Sequence, residues 1–488
     1  MTVTKPFLAA FAMSAGFAIG QHRVMTCKIQ IALAALALFV FPATVKADLV
    51  DDMVQAEMAR SQTPGIAIAV VSGGSLVRAR GFGEANVEWH APVHPDTLFK
   101  TGATGMQMTA AAVMLLVEDG KLKLDAPVTQ YLPGAPSKWG GVTIRQLLDH
   151  TSGLPATPNG DFRTDYSREE LLGIIAAQDL NFPAGKRWRF SYAGYIVLGF
   201  VIEEVTGEHW SEFMKQRLFG PLGMHSARGI DEMAVVPNRA SGYELRDGQL
   251  RNAEWISPTA NSTADGSLYL SVLDYAAWAH AMSARSLLRP KSWQVLERRA
   301  ALTDGATCAY SPGWFHEASG KAEWQSGIWQ GFQTYALRYP AEDLTVVVFA
   351  NGDAADVQGL ARGLAAHANP ALARAPAKIL SDADPVETAR ARTLIEDIAA
   401  GRADRADYGD FAELDFTELT AMNAGILGGL GALEEFALFD RQENCGETDY
   451  RYRARYAGGM VEVRIGKTSN GKVNNLDILP LHDWNEPL

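Results

Sequence analysis

Apolar residues form alternating runs near both ends of the first 365 residues, and longer helical patterns lie between these runs. GIAIAVVSGGSLVRARGFGEANV holds two apolar runs around a Gly-Gly turn, which predicts a β-hairpin. FQTYALRYPAEDLTVVVFAN repeats this pattern near residue 340. Between them, MTAAAVMLLVEDGKL and YAGYIVLGFVIEEVTG end at Gly120 and Gly207, as helices with glycine C-caps do. We therefore predict an α+β fold, in which strands from both ends form one sheet around a helical insertion.

The pattern breaks in an alanine- and proline-rich stretch that lacks apolar periodicity, which predicts a linker. After it we predict helices near residues 387–399 and 416–427. The alternating runs YRYRARYAGG and MVEVRIGKTSNGKV then predict a β-meander. The predicted organisation is a leader at 1–47, a body at 48–365, a linker at 366–386 and a small C-terminal α+β domain at 387–488.

The leader has the pattern of a signal peptide. Lys28 precedes the apolar run IQIALAALALFVFPATV, and VKA ends at residue 47 as a small-residue cleavage site before Asp48. This pattern predicts a periplasmic or secreted protein. Two alternatives stay open: an earlier apolar stretch makes the leader long enough to remain as a membrane anchor, or translation starts at Met25.

Composition narrows the range of partners. The 488 residues are 47% hydrophobic and 20% charged, as in an ordinary globular protein with more than one domain. The net charge is -12, and removing residues 1–47, with four basic and no acidic residues, makes it -16. Such a chain is unsuited to nucleic acid, whose phosphates need a basic surface. The expected partners are a small-molecule or peptide ligand, a protein bound by the C-terminal domain, and a membrane only if the leader is uncleaved.

The three cysteines give no metal site. Cys27 lies in the leader, whereas Cys308 and Cys445 can pair in an oxidising compartment or stay free, and the sequence leaves this open. Neither has a nearby Cys or His at the spacing of metal ligands. No metal and no cofactor is expected.

Several motifs carry a family resemblance. VTIRQLLDHTSGLP at 142–155 is the most specific, and GKLKLDAPVTQYLP, FPAGKRWRFSYAGYIVLGFVIEEVTG and LFGPLGMHSA support it. Residues 48–365 resemble the serine beta-lactamase and penicillin-binding-protein superfamily, on its class C, esterase and D-alanyl-D-alanine carboxypeptidase side. The resemblance implies an antiparallel sheet flanked by helices with an inserted all-helical domain. It also implies acyl transfer, which needs a nucleophile, a base and an oxyanion hole.

The catalytic motifs of that family are degenerate in this chain. FKTGATGMQMTA fits the Ser-x-x-Lys helix start, but Ala103 and Met106 occupy the two reacting positions. The Tyr-x-Asn motif keeps Tyr192 and has Gly194 for asparagine. In the third motif, Gln325 replaces the family's lysine or histidine. Without a cation nearby, we expect Tyr192 to stay protonated and to act as a hydrogen-bond donor rather than as a base.

Other residues are poor replacements for the lost groups. Lys100 has a family counterpart outside the reacting set, and His150 in DHTSGLP is expected to be structural. Ser191 is expected to point away from the site. Ser469 and Lys472 have the Ser-x-x-Lys spacing, but they lie in a predicted turn without a helix start.

Backbone groups survive side-chain substitution. The resemblance assigns the oxyanion amides to Ala103 and Ile328. These two amides and the N-terminus of the helix that begins near Ala103 form a site where a carbonyl or an anion can bind. Trp324, Trp329 and Phe332 are expected either to line this pocket or to pack in the core.

Three functional hypotheses follow. The first is a catalytically inactive member of the family that binds an envelope peptide, an acyl ligand or a protein partner. The second is a weak hydrolase of the esterase, beta-lactamase or carboxypeptidase type that uses unorthodox groups. The third is a scaffold that acts through its C-terminal domain.

Overall fold

A computed structural model describes residues 48–158, 160–373, 384–409 and 413–481. The leader at 1–47 and much of the predicted linker lie outside the described residues. The described parts belong to one compact unit, residues 47–488. None of their helices is long and apolar enough to cross a membrane.

Helices occupy the start of the body, its middle and the first part of the C-terminal domain. They are α1 (Leu49–Ser61), α2 (Met106–Glu118), α3 (Ile144–Leu148), α4 (Arg168–Ala177), α5 (Tyr192–Thr206), α6 (Trp210–Met214), α7 (Val272–Ala284), α8 (Pro290–Glu297), α9 (Val357–Ala368), α10 (Pro385–Ala399) and α11 (Glu413–Gly428). The two helices that the sequence placed before Gly120 and Gly207 are α2 and α5. Both glycines have positive φ, which a residue without a Cβ adopts easily.

The strands form a large sheet in the body and a smaller one in the C-terminal domain. They are β1 (Gly65–Ser72), β2 (Ser75–Asn86), β3 (Ala91–Pro92), β4 (Phe99–Lys100), β5 (Arg228–Gly229), β6 (Tyr243–Arg246), β7 (Gln249–Asn252), β8 (Leu268–Leu270), β9 (Tyr310–Ser311), β10 (Trp314–His316), β11 (Glu323–Trp329), β12 (Phe332–Tyr339), β13 (Leu344–Ala350), β14 (Leu433–Asn444), β15 (Glu447–Tyr456), β16 (Gly459–Lys467) and β17 (Val473–Leu481).

The large sheet joins strands from both ends of the body. Among the described residues its order is β3-β2-β1-β13-β12-β11-β10-β9, with antiparallel pairing throughout. Apolar side chains of β1, β12 and β13 alternate between two cores, as the period of a strand requires. α1 and α9 cover one face, and α2, α5 and α7 belong to the core on the other. The α+β prediction is confirmed.

The insertion between β4 and β9 is mainly helical, but it also contains strands that the sequence analysis did not predict. β4, β8 and β5 form a small antiparallel sheet, and β6 and β7 form a hairpin. The pairing of β4 with β8 matters for function, because it brings the segment before β8 next to the start of α2.

The C-terminal domain packs α10 and α11 together with the sheet β14-β15-β16-β17 around its own apolar core. A disulfide between Cys308 and Cys445 connects this domain to the body, with Cα atoms 4.4 Å apart. Ala309 N donates to Asn444 Oδ1 over 2.7 Å beside this bond. The pairing that the sequence left open is therefore present. The positions of the domain boundaries stay a prediction.

Candidate functional site

Ala103 lies in a short 3-10 turn, Gly102–Gly105, directly before α2. Just before this turn, the Thr101 hydroxyl donates to the Gly266 carbonyl over 2.8 Å. The Thr101 carbonyl accepts from Thr334 Oγ1 of β12 over 2.6 Å. These bonds fix the start of α2 between the large sheet and the segment before β8. Ala103 is buried, and its methyl group cannot attack a carbonyl carbon.

The turn approaches β11 so closely that glycine is needed between them. A Cβ at Gly327 would lie 1.9 Å from the Thr101 carbonyl oxygen. A Cβ at Gly102 would lie 2.8 Å from the backbone nitrogen of Ile328, so this nitrogen is beside the turn. The backbones of Ala103 and Ile328 therefore adjoin. The role of their amides as an oxyanion hole stays a prediction.

Tyr192 is the first residue of α5, and its neighbours explain how it is positioned. Ser191 caps the helix: its Oγ accepts from Gly194 N over 3.0 Å and donates to the Pro155 carbonyl over 2.6 Å. Tyr192 N donates to the Ala156 carbonyl over 2.8 Å. The Ser191 hydroxyl is thus occupied by the helix end, and Tyr192 is the motif side chain that reaches the site.

Of the three aromatic residues expected at the site, Trp329 lines it and the other two do not. Trp329 lines the site and donates Nε1 to Asn261 Oδ1 over 2.6 Å. Trp324 lies an odd number of positions away, so it faces the opposite side, where it stacks on Phe315 with ring centroids 4.4 Å apart. Phe332 is buried with its ring edge-on to Phe99. Trp324 and Phe332 therefore belong to the cores and not to the lining.

A cavity of about 340 Å³ lies beside Ala103. This volume is in the range of small-molecule sites, about 300–1,000 Å³. Four aromatic rings and several apolar side chains contribute to its walls. The lining consists of Gly102, Ala103, Thr157, Pro158, Gly160, Asp161, Phe162, Tyr166, Leu171, Tyr192, Ile196, Thr259, Ala260, Thr263, Asp265, Gly266, Ser267, Ile328 and Trp329.

Asp265 is the functional candidate that the sequence analysis missed. Its Oδ1 accepts from Thr263 Oγ1 over 2.6 Å. Burial raises the pKa of the Asp265 carboxyl to about 6. Burial and the nearby Asp265 carboxylate raise the pKa of Tyr192 to about 12, so the phenol is protonated at neutral pH. The only signal in the sequence is an acidic residue within the small-residue run NSTADGS before β8.

The positions that would carry cations in the family do not contribute a charge here. Met106 is fully buried in the apolar core of the insertion. Gln325 is also buried; its Oε1 accepts from Ser326 N over 3.1 Å, and its Nε2 has no hydrogen-bond partner among the described residues. The lining residues named above include no lysine, arginine or histidine. The described residues also contain no cluster of side chains able to hold a metal ion.

The two lysine-containing alternatives lie away from the cavity. Lys100 is buried in an ion pair with Glu232 and also donates to Gln330. Burial lowers the pKa of Lys100, and Glu232 opposes this shift. Ser469 is exposed in the turn between β16 and β17, close in sequence to Lys472. Neither lysine lines the cavity.

His150 has the surroundings of a structural residue. Its Nδ1 accepts from Ser191 N over 3.1 Å, and its ring lies 4.3 Å from that of Phe190 and 4.7 Å from that of Tyr310. Burial lowers its pKa to about 3, so the imidazole is neutral near pH 7. His150 therefore supports the start of α5 and does not line the cavity.

Comparison with known sequences identifies the scaffold. A sequence profile described as Beta-lactamase matches residues 50–369, which is more than half of the chain. The chain belongs to the beta-lactamase family. The matched range includes every segment that lines the cavity, and it ends before α10.

Individual relatives are distant. A penicillin-binding protein of Bacillus subtilis (strain 168) is 27% identical over 306 residues, covering 58% of this chain and 67% of the relative. The unguisins hydrolase of Aspergillus campestris is 28% identical over 330 residues, covering 62% of this chain and 60% of the relative. This chain thus matches about three fifths to two thirds of the length of these relatives.

Solved structures agree in fold. The octameric penicillin-binding protein homologue of Pyrococcus abyssi has a TM-score of 0.58 at 21% identity, covering 89% of this chain and 96% of the other. At this identity, the likeness concerns the fold alone.

Proposed function

We propose that this chain is a member of the beta-lactamase family that binds a small ligand beside Ala103 without hydrolysing it. The observation that supports the proposal most is the combination of an open cavity with a motif turn that has no nucleophile. The cavity has the size of a ligand site, whereas Ala103 at its edge carries only a methyl group. A peptide or acyl compound of the cell envelope is the class of ligand that the family points to.

The chemistry of the remaining groups supports binding over acyl transfer. Tyr192 keeps its proton at neutral pH and can donate a hydrogen bond, but it is a poor base. Met106 cannot accept a proton. Loss of the nucleophile in a triad hydrolase typically costs on the order of a millionfold in turnover. A similar loss would leave this chain with little or no turnover.

The first experiment asks whether a covalent intermediate forms. Purified wild-type protein is incubated with a fluorescent penicillin and with an activated phosphonate, and labelled peptides are sought by mass spectrometry. A family member with an intact nucleophile serves as the positive control. The proposal expects no adduct at any residue of the cavity, and an adduct at any of them would overturn it.

One observation favours a second function, the weak hydrolase. Asp265 has a pKa of about 6 in a cavity next to two backbone amides, and a base works best when its pKa is near the working pH. In this mechanism Asp265 would remove a proton from water, whose oxygen would attack a carbonyl carbon. The proton would then pass to the leaving group. No covalent enzyme intermediate is needed.

Hydrolysis of a chromogenic cephalosporin and of small esters separates the two functions. Wild type, Asp265→Asn and Tyr192→Phe are assayed together, with Asp179→Asn as a surface control, because Asp179 is fully exposed. If the protein binds its ligand without hydrolysing it, all four proteins should give the rate of the uncatalysed reaction. Turnover that disappears only in Asp265→Asn would establish the water mechanism. Turnover that survives both cavity variants would mean that chemistry occurs elsewhere.

We also propose that the protein functions outside the cytoplasm. The signal-peptide pattern and the Cys308–Cys445 disulfide support this, because such bonds persist in oxidising compartments. Fractionation followed by N-terminal sequencing tests it. A mature chain that starts at Asp48 in the exported fraction is expected, and full-length protein in the cytoplasm would contradict the proposal.

A further inference from the structure

The charged side chains that line the cavity are all acidic. Its lining includes two carboxylates, Asp161 and Asp265, and no basic side chain. Asp161 is largely exposed and lies 4.0 Å from Arg163, which itself contacts Glu254 at 3.2 Å. Arg163 is exposed and lies close to both Asp161 and Glu254. Asp265 is therefore the charged group that a ligand inside the cavity meets.

Asp265 has hydrogen bonds but lacks a counter-ion in the lining. Thr263 donates to it over 2.6 Å, and the Ser267 side chain also stabilises the charged form. A carboxylate that is partly removed from water and has no cation beside it is costly, and proteins normally pair such groups. Ligand binding can supply the missing positive charge. An anionic ligand would instead add a second negative charge beside the first.

The aromatic residues of the cavity fit a cation as well. Phe162, Tyr166, Tyr192 and Trp329 all contribute to the lining, and the rings of Phe162 and Trp329 meet edge to face at 5.9 Å. Aromatic faces attract ammonium groups, most strongly where water is excluded. The negative face of an aromatic ring repels a carboxylate.

The other lining residues include apolar side chains, which favour a ligand with an apolar segment. Leu171 and Ile196 line the interior, and Ile328 lines the cavity with 64% of its surface exposed. Phe162 is also partly exposed at the opening, with 39% of its surface accessible. A ligand that reaches from Asp265 to these residues would bury an apolar segment as it leaves the cavity.

We infer that the cavity selects a ligand with a protonated amine on an apolar body, and that Asp265 binds the ammonium group. This inference rests on the proposed function, because it assumes that the cavity is a ligand site. It narrows the envelope compounds above to those with a free amino group, such as a peptide amino end. It excludes ligands recognised through a carboxylate inside the cavity.

Three probes with one skeleton test the inference. Phenylpropylamine, phenylpropanol and phenylpropanoate have the same phenyl group and three-carbon chain, and their head groups are cationic, neutral and anionic at about pH 8. Their affinities for the full-length mature protein are measured by isothermal titration calorimetry at about pH 8, where Asp265 is ionised. The amine is expected to bind best, by roughly tenfold to a hundredfold over the alcohol.

Variants assign the effect to one carboxylate. Asp265→Asn keeps the side-chain shape and removes the charge, so the preference for the amine should disappear. Asp179→Asn makes the same substitution at a surface position away from the lining and should leave all affinities unchanged. The circular dichroism spectrum of each variant verifies that it is folded.

The outcomes separate this inference from the proposed function. Selective binding of the amine that Asp265→Asn abolishes supports both. Equal binding of all three probes, or tightest binding of phenylpropanoate, overturns the inference and leaves ligand binding without hydrolysis intact. If none of the probes binds, the cavity is not a ligand site for such compounds, and the inference fails. An amine preference unchanged in Asp265→Asn overturns the role of Asp265.

Discussion

Replacing Met106 with lysine tests whether this position has become part of the apolar core. Met106 is fully buried in the apolar core that includes α2. The motif position that the family fills with asparagine is Gly194, which has no side chain to bind an amine. Burial lowers the pKa of a lysine, so the amine introduced by Met106→Lys would be neutral near pH 7. The lysine that serves as base in the family would here be an isolated polar group.

The magnitude follows from proton linkage. An amine that titrates near pH 10.4 in water costs about 1.4 kcal/mol for each pH unit over which it is kept neutral, or roughly 4 to 5 kcal/mol at about pH 7. The unfolded chain binds the extra proton, so stability rises with pH and the cost falls to roughly 2 kcal/mol at about pH 9. A domain is stable by only about 5 to 15 kcal/mol, so the variant should be close to unfolding at neutral pH.

Urea denaturation followed by tryptophan fluorescence measures this cost at both pH values. Met106→Leu is the matched control, because a swap of similar volume typically costs less than about 1.5 kcal/mol. The difference between the two variants should shrink by roughly half or more from about pH 7 to about pH 9. If Met106→Lys lowers the free energy of unfolding by less than about 1 kcal/mol at neutral pH, or by an amount independent of pH, position 106 is not in a core that excludes water.

Three further expectations concern other parts of the molecule. Ala103→Ser alone should gain no labelling by a fluorescent penicillin, because Met106 and Gln325 cannot activate the new hydroxyl; a labelled Ser at this position would contradict the missing base. The Asp265 carboxyl has a pKa raised to about 6 in the folded protein, so its stabilising contribution is present below pH 3.8 and is lost as the pH rises through 6. Relative to Asp265→Asn, wild type should lose about 1 to 3 kcal/mol between about pH 4 and pH 7 in urea titrations, and parallel curves would disprove the raised pKa. Replacing Cys308 and Cys445 with serine opens a link between residues 137 positions apart and should lower stability by roughly 2 to 5 kcal/mol in calorimetry, whereas an unchanged melting profile would show that the bond adds nothing.

Local signals made much of the fold predictable. The turn between β1 and β2 contains Gly73 and Gly74, and α5 ends at Gly207. All three glycines have positive φ, a conformation that glycine adopts easily, so their presence in the sequence predicts the turn and the helix end. Alternation along β12 and β13 likewise follows from the period of a strand. β14 was not predicted, since LEEFALFDRQEN lacks clear alternation and depends on pairing with β15.

The sequence predicted the site residues that belong to family motifs. It did not predict the residue that reaches the site only through the pairing of distant segments. Ala103, Tyr192, Ile328 and Trp329 all line one cavity, although they come from separate parts of the sequence. Asp265 could not be foreseen, because its place beside the motif turn depends on the pairing of β4 with β8. The odd spacing between Trp324 and Trp329 did contain enough information to exclude one of them from the lining.

The lining of the cavity changes the kind of ligand that the motifs predict. The degenerate motifs alone pointed to carbonyl or anion binding by backbone amides. With Asp265 included, the cavity has a negative group, aromatic walls and no basic side chain in its lining. Loss of the catalytic cations and the presence of this carboxylate together favour a positively charged ligand.

A crystal structure of the wild-type protein soaked with phenylpropylamine tests the central claim most directly. We expect intact, non-covalent ligand density in the cavity beside Ala103, with the ammonium group about 2.7 to 2.9 Å from an Asp265 carboxylate oxygen. A cavity filled by the protein's own side chains, or a ligand whose ammonium group avoids Asp265, would contradict it.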